Sequence, residues 1–222
     1  MGTRHLICVF YNGKFCLAQY GNCDGYPGGQ GVTIVKFLRR PENIQRLKDG
    51  LKHTYEVPDE TALAAKRKID MLRGLERVAW LAYLQSDDPL ITSQITEFLQ
   101  PSLHGDTGAG ILEVIAQAQD EEDKVPIQLN LPFANNWLMC KWAYVVDLDE
   151  GVLEVFRGAE QKASGHRFQD VGECSATVPS LISTFSFSEL QEMKDEQEFL
   201  DRLDSAGHKE GVAVSITRPR CD

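Results

Sequence analysis

The feature that most constrains this chain is Asn12-Gly13, which separates two apolar runs, Arg4-His5-Leu6-Ile7-Cys8-Val9-Phe10 and Lys14-Phe15-Cys16-Leu17-Ala18-Gln19-Tyr20. Asparagine and glycine both tolerate positive φ, so this arrangement predicts a tight β-hairpin at the start of the fold. The first run is apolar at odd and even positions alike, which predicts a strand covered on both faces and therefore central in its sheet. A second hairpin is predicted at Glu150-Gly151, between Lys141 to Asp149 and Val152 to Arg157. In its first strand, Trp142, Tyr144, Val146 and Leu148 share one face.

Between the hairpins the periodicity turns helical. Val32 to Arg40 reads as a helix that Pro41 closes, and Glu42 to His53 as a second. Asp59-Glu60 is the predicted cap of a long helix from about Thr61 to about Gln85, with Met71, Leu72, Leu75, Val78, Ala79 and Ala82 on one face. Lys66, Arg73 and Arg77 fall on the opposite face, with Asp70 among them to neutralise the stripe. Further helices are expected from Ile91 to Leu99, Ile111 to Ala118, and Phe187 to Leu203, the last capped by Ser186 or Ser188. Residues 158–180 are polar and read as a loop. Strands grouped in hairpins with helices between them predict one α+β domain over residues 1–222, its sheet built from antiparallel hairpins rather than βαβ units. The glycine pattern Gly25-x-x-Gly28-Gly29-x-Gly31 is neither a Rossmann fingerprint nor a P-loop, because no Gly-Lys-Ser/Thr follows.

Composition narrows the function classes. At 42% hydrophobic and 25% charged the chain is an ordinary globular sequence, and no apolar run nears the roughly 18 residues that span a bilayer. Without a targeting signal a cytoplasmic location is expected. The six cysteines form no CxxC pair and show no ligand spacing with the five histidines, so free thiols and no metal or other cofactor are expected. Cys8 and Cys16 fit as small core residues. The net charge of −10 divides into +5 over residues 1–80 and −15 over the rest. An acidic chain does not bind nucleic acid indiscriminately, yet a basic third permits a specific contact; attraction between the two halves of the fold accounts for the asymmetry equally well.

Chemistry concentrates in residues 19–31. Five glycines and a proline between Gly21 and Gly31 let the backbone approach a ligand, and Asp24, Tyr26 and Gln30 supply a carboxylate, a phenol and an amide. The plainer alternative is a strand-to-helix turn in which Asp24 caps backbone. A second candidate is His104-Gly105-Asp106-Thr107-Gly108: Asp106 or Thr107 caps the following helix or, if this loop lies beside the first, Asp106 binds a cationic group. A third is Asn135 to Trp142, where Trp137 and Trp142 line a pocket or pack in the core. No Gly-x-Ser-x-Gly elbow occurs, and no cysteine is marked out by a neighbouring histidine.

Several motifs taken together resemble a known family. They are Gly2-Thr3-Arg4, Gln19-Tyr20-Gly21, Asp24-Gly25-Tyr26-Pro27, Gly29-Gln30-Gly31, Asp106-Thr107-Gly108-Ala109, Cys140-x-Trp142-Ala143-Tyr144-Val145-Val146-Asp147-Leu148-Asp149 and Phe185-Ser186-Phe187-Ser188-Glu189-Leu190. They resemble, nearly end to end, a set of fungal proteins with more distant bacterial and phage relatives. One branch of these fungal proteins is the arginine-containing cyclodipeptide synthases, which this chain is similar to in size and character. Cys23 stands where the pattern has tryptophan, and Lys141 where it has an acid, which puts the identity of the substrate in question.

That resemblance implies a tRNA-dependent aminoacyltransferase acting on arginyl-tRNA and a second aminoacyl-tRNA. Such chemistry needs donors for an oxyanion, a base for an α-ammonium and a carboxylate for the guanidinium. It implies Asp24 or Asp106 on the guanidinium, Tyr26 as proton relay, and Arg4 with backbone N–H groups near Gly29–Gly31 facing negative charge. Gln30 joins this catalytic group, and Gln19, Tyr20, Thr107 and Trp142 line the substrate. Lys36, Arg39 and Arg40, with Lys66, Arg73 and Arg77, would meet tRNA phosphates. Two other classes stay open. The hairpin start also fits an amidohydrolase of N-terminal-nucleophile-like fold, although Gly2, not Thr3, follows Met1. A non-enzymatic binding or scaffold module needs no chemistry from the glycine loop at all.

Overall fold

The computed structural model describes residues 2–58, 60, 63–64, 101–120, 122, 124–136, 138–162, 167–171 and 177–209. The hairpin at Asn12-Gly13 forms as expected. Strand β1 (His5–Tyr11) pairs antiparallel with β2 (Lys14–Gly21), and both turn residues take positive φ, 54° and 73°. Asp149 ties the turn to the second hairpin, accepting both turn amides at 2.9 Å. Those two bonds hold its carboxyl below the usual range.

The second hairpin joins β5 (Trp142–Asp147) to β6 (Val152–Lys162), and β6 pairs antiparallel with β7 (Thr177–Ser186). The sheet order is β2-β1-β5-β6-β7, so β1 is an interior strand flanked by β2 and β5, and β5 is the middle one. One expectation changes here. The β1–β5 pairing is parallel, with His5 opposite Trp142 and Ile7 opposite Tyr144. The sheet is therefore mixed: the antiparallel pair β1-β2 and the antiparallel trio β5-β6-β7, joined by one parallel seam. Turn chemistry specifies only the local pairings; the seam forms because β1 and β5 are each apolar on both faces and bury best against one another.

The two faces of the sheet are covered differently. Ile7, Val9, Tyr144 and Val146 face the helices, among them α1 (Val32–Leu38), α2 (Pro41–Gly50) and α3 (Ile111–Gln117). Leu6, Cys8, Ala143, Val145 and Phe156 face a second layer containing Ala134 and Phe168. A short parallel pair, β3 (Thr54–Glu56) with β4 (Val125–Ile127), flanks the helices. Among the described residues no helix is long and apolar enough to cross a membrane.

Several boundaries move. Pro41 does not close a helix but opens α2, where its fixed φ suits the first position and Arg40 supplies the extended break. The C-terminal helix is two, α4 (Phe187–Glu192) and α5 (Glu196–Lys209), separated at Met193, which leaves helical geometry with ψ of 136°. Ser186 caps α4 through a reciprocal capping box with Glu189, as one of its two predicted caps. The segment 158–180 is not wholly loop: β6 runs on to Lys162 and β7 begins at Thr177. Polar composition concealed this pairing, because it is the far end of a long antiparallel ribbon and not a core strand. The predicted helices from about Thr61 to Gln85 and from Ile91 to Leu99 lie outside the described residues.

Candidate functional site

The sheet positions the glycine-rich segment directly. After Gly21 the chain turns back over the start of β1, where the Gly25 amide donates to the Thr3 carbonyl at 2.9 Å. Asp24 makes the turn with φ of 56°, a left-handed conformation that aspartate reaches more readily than most side chains. Its carbonyl accepts from the Gln30 amide at 2.9 Å, and its carboxylate accepts from the Tyr26 hydroxyl at 3.2 Å. Thus Asp24 is both a turn former and a side chain at the surface, with Tyr26 buried beneath it. From Pro27 the chain winds through a π-helical turn, Pro27–Gly31, into α1.

The second loop lies beside the first, the condition on which Asp106 becomes part of the same site. Asn22 donates its amide N–H to the Gly105 carbonyl at 2.9 Å and its side-chain amide to Asp106 at 3.0 Å. Gln30 spans the gap, accepting from the Ala109 amide at 2.7 Å and donating to the Cys23 carbonyl at 3.3 Å. Gln19 is buried and donates to the His104 carbonyl at 3.0 Å. Neither Asp106 nor Thr107 caps the helix through its side chain: Thr107 opens a short 3-10 turn, Gly108–Gly110, and no side-chain cap bond is made. The His104 imidazole instead receives the Asp106 amide at 3.3 Å.

Other expected residues are dispersed. The guanidinium of Arg4 lies against the Met139 sulfur at 2.7 Å, not near Gly29–Gly31. Strand alternation is the reason, since odd residues of β1 face the loop and helices while even ones face the opposite layer. Trp142 is core, buried on the helix-facing side beneath Arg157. Tyr20 packs edge-on against Phe133 with ring centroids 4.8 Å apart. Arg39 is held within the fold by Glu196 at 3.0 Å and the Met193 carbonyl at 2.8 Å, whereas Lys36 and Arg40 are exposed. Lys66, Arg73, Arg77 and Trp137 lie outside the described residues. Cys8 is buried and Cys16 half-buried, and burial raises both thiol pKa values; Cys23 is exposed beside Asp24. Among the described residues no group of three or more His, Cys, Asp or Glu side chains is placed to hold a metal ion.

Two residues at this site were not singled out by sequence. Tyr144 is completely buried and donates its hydroxyl to the Gly25 carbonyl at 2.8 Å, anchoring the loop from below. Burial drives its pKa well above the ordinary tyrosine value, so it stays a donor. His5 is also completely buried, and neither ring nitrogen completes a hydrogen bond with a protein group. Burial lowers its pKa to about 4, although the Thr3 carbonyl and Asp24 pull in the other direction. The imidazole is therefore neutral at pH 7, and each unpartnered buried polar group costs about 1–3 kcal/mol. Glycine at 21 and 25 makes room for the ring: a Cβ on Gly21 would overlap Cε1 and Nε2, and one on Gly25 would come within 2.9 Å of Nδ1. A histidine opening an otherwise apolar run, paired across the hairpin with a glycine, was the signal available in the sequence.

Comparison with protein-family models, with curated proteins and with solved structures returns no match.

Proposed function

We propose that the paired loops bind a guanidinium-bearing aminoacyl group, and that the protein is an aminoacyltransferase forming an arginine-containing cyclodipeptide from aminoacyl-tRNA. The observation that supports this reading is the bridge from Asn22 to Asp106, which brings an exposed carboxylate of the second loop beside the loop carrying exposed Asp24. Two carboxylates on neighbouring loops suit a planar cation, which donates paired hydrogen bonds to carboxylate oxygens more strongly than any neutral group does.

In this reading the α-amine of one aminoacyl-tRNA attacks the ester carbonyl of the other, forming a peptide bond and releasing one tRNA. The free α-amine of the dipeptidyl ester then attacks its own ester carbonyl, closing the ring and releasing the second tRNA. In each step a proton passes from the attacking nitrogen to the leaving ribose oxygen. Tyr26, hydrogen-bonded to Asp24, is the proposed relay for it. Asp24 and Asp106 hold the guanidinium, and Gln30 and Gln19 keep the two loops in register. Lys36 and Arg40 remain as exposed cations for tRNA phosphates, with Lys66, Arg73 and Arg77 proposed from sequence alone. Arg4 has no part in this scheme, because its strand position turns it to the other face of the sheet.

Expression in bacteria followed by mass spectrometry for arginine-containing diketopiperazines tests the proposal. A new product that disappears in Asp24→Ala is the expected result and names the second amino acid. A folded protein that makes no product and does not retard charged tRNA in a gel would refute it and favour a binding module.

A further inference from the structure

His5 is a polar side chain in a place that an apolar one would fill without leaving buried nitrogens unsatisfied. Its companions on the same face of β1, Ile7 and Val9, are apolar and fully buried. A leucine at this position would fill nearly the same volume and leave no polar nitrogen unpaired. Yet the chain places an imidazole there, directly beneath the segment that carries Asp24, and keeps side-chain carbon away from both of its nitrogens with Gly21 and Gly25. The polar groups nearest the ring are hydrogen-bond acceptors, the Thr3 carbonyl and the Asp24 carboxylate. A ligand rich in N–H donors and carrying positive charge fits such surroundings; an anion does not.

We propose that His5 is a ligand-binding residue of the loop site, its imidazole accepting a hydrogen bond from an N–H of an amine- or guanidinium-bearing ligand drawn in by Asp24 and Asp106. The ligand reaches the ring by displacing the Asp24-Gly25 segment. Four bonds hold that segment down: Gly25 to Thr3, Tyr144 to Gly25, Gln30 to Asp24 and Tyr26 to Asp24. A ligand carrying several N–H donors can satisfy the acceptors that these bonds free, the Thr3, Asp24 and Gly25 carbonyls and the Asp24 carboxylate, and so offsets part of the cost of opening the segment. This assignment rests on the cation-binding reading of the loop pair and deepens it by naming what lies at the bottom of the site.

The test uses the full chain labelled with 15N-histidine, and L-arginine amide as the probe. Saturation with the probe is expected to shift the His5 imidazole nitrogen resonances. The His5→Leu chain is expected to bind the probe at least about tenfold more weakly, the scale of one charge-assisted hydrogen bond, while melting no lower than the wild type. His5→Gln keeps an acceptor and is expected to fall between them. If the probe binds the wild type but leaves the His5 resonances in place, and His5→Leu binds equally well, the role of His5 is overturned while the cation site stands. If the probe does not bind the wild type at millimolar concentration, both fall. Should His5→Leu fail to fold, the wild-type resonances decide by themselves.

Discussion

Replacing Arg167 by alanine tests whether the second hairpin depends on a charge cluster outside the proposed site. Arg167 approaches Asp147 at 2.6 Å and Glu154 at 2.7 Å, and its guanidinium lies 4.7 Å from the Phe10 ring centroid. Asp147 is almost fully buried, with 2% of its side chain exposed, and its other oxygen accepts from the Asp149 and Glu150 amides. Removing the partner of a fully buried charge costs about 3–5 kcal/mol. The Arg167 side chain is 20% exposed, and Asp147 retains its two backbone bonds, so solvent screening and residual pairing reduce the loss to about 2–4 kcal/mol. Part of the effect titrates. Burial raises the Glu154 pKa even with Arg167 present, and without the arginine it rises further. A carboxyl whose folded pKa lies above its unfolded value binds its proton more tightly in the folded state, so stability falls as pH rises through that window. The Arg167→Ala penalty is therefore larger at pH 7 than at pH 5. Urea unfolding of both chains at the two pH values measures it. A difference below about 0.5 kcal/mol at pH 7, the range of an ordinary surface substitution, would refute the reasoning.

Two further substitutions separate loop docking from helix packing. Gln30→Ala removes the Ala109 bond between the two loops and the Cys23 bond within the first, and is expected to cost about 1–2 kcal/mol and to speed amide hydrogen exchange at Ala109. Gly50→Ala would drive a Cβ into the Ile115 carbonyl where α2 crosses α3; a thermal melt should show a loss of about 1–3 kcal/mol, although alanine is the better helix former.

Wherever the decisive interaction is local, this protein is legible from its residues. Asn12-Gly13 turned because both residues accept positive φ, and Ser186 capped because Glu189 stands three residues on. The interior position of β1, one place from the middle of the sheet, agrees with apolar side chains on both of its faces. The glycine-rich segment likewise announced a loop carrying Asp24, Tyr26 and Gln30, though not that Tyr26 would be buried beneath an exposed Asp24. Tertiary structure decided the rest. The parallel seam between β1 and β5 joins residues more than 130 positions apart, and no turn or periodicity specifies which strand a doubly apolar strand will choose. The same seam turns Arg4 away from the glycine loop and brings Tyr144 beneath it. It also left His5 with no hydrogen-bonding partner in the protein. Asn22 and Asp106 meet only because their loops pack side by side. Local propensity is written in neighbouring residues, but burial is settled by partners distant in the chain, and the chemistry of a site depends on burial.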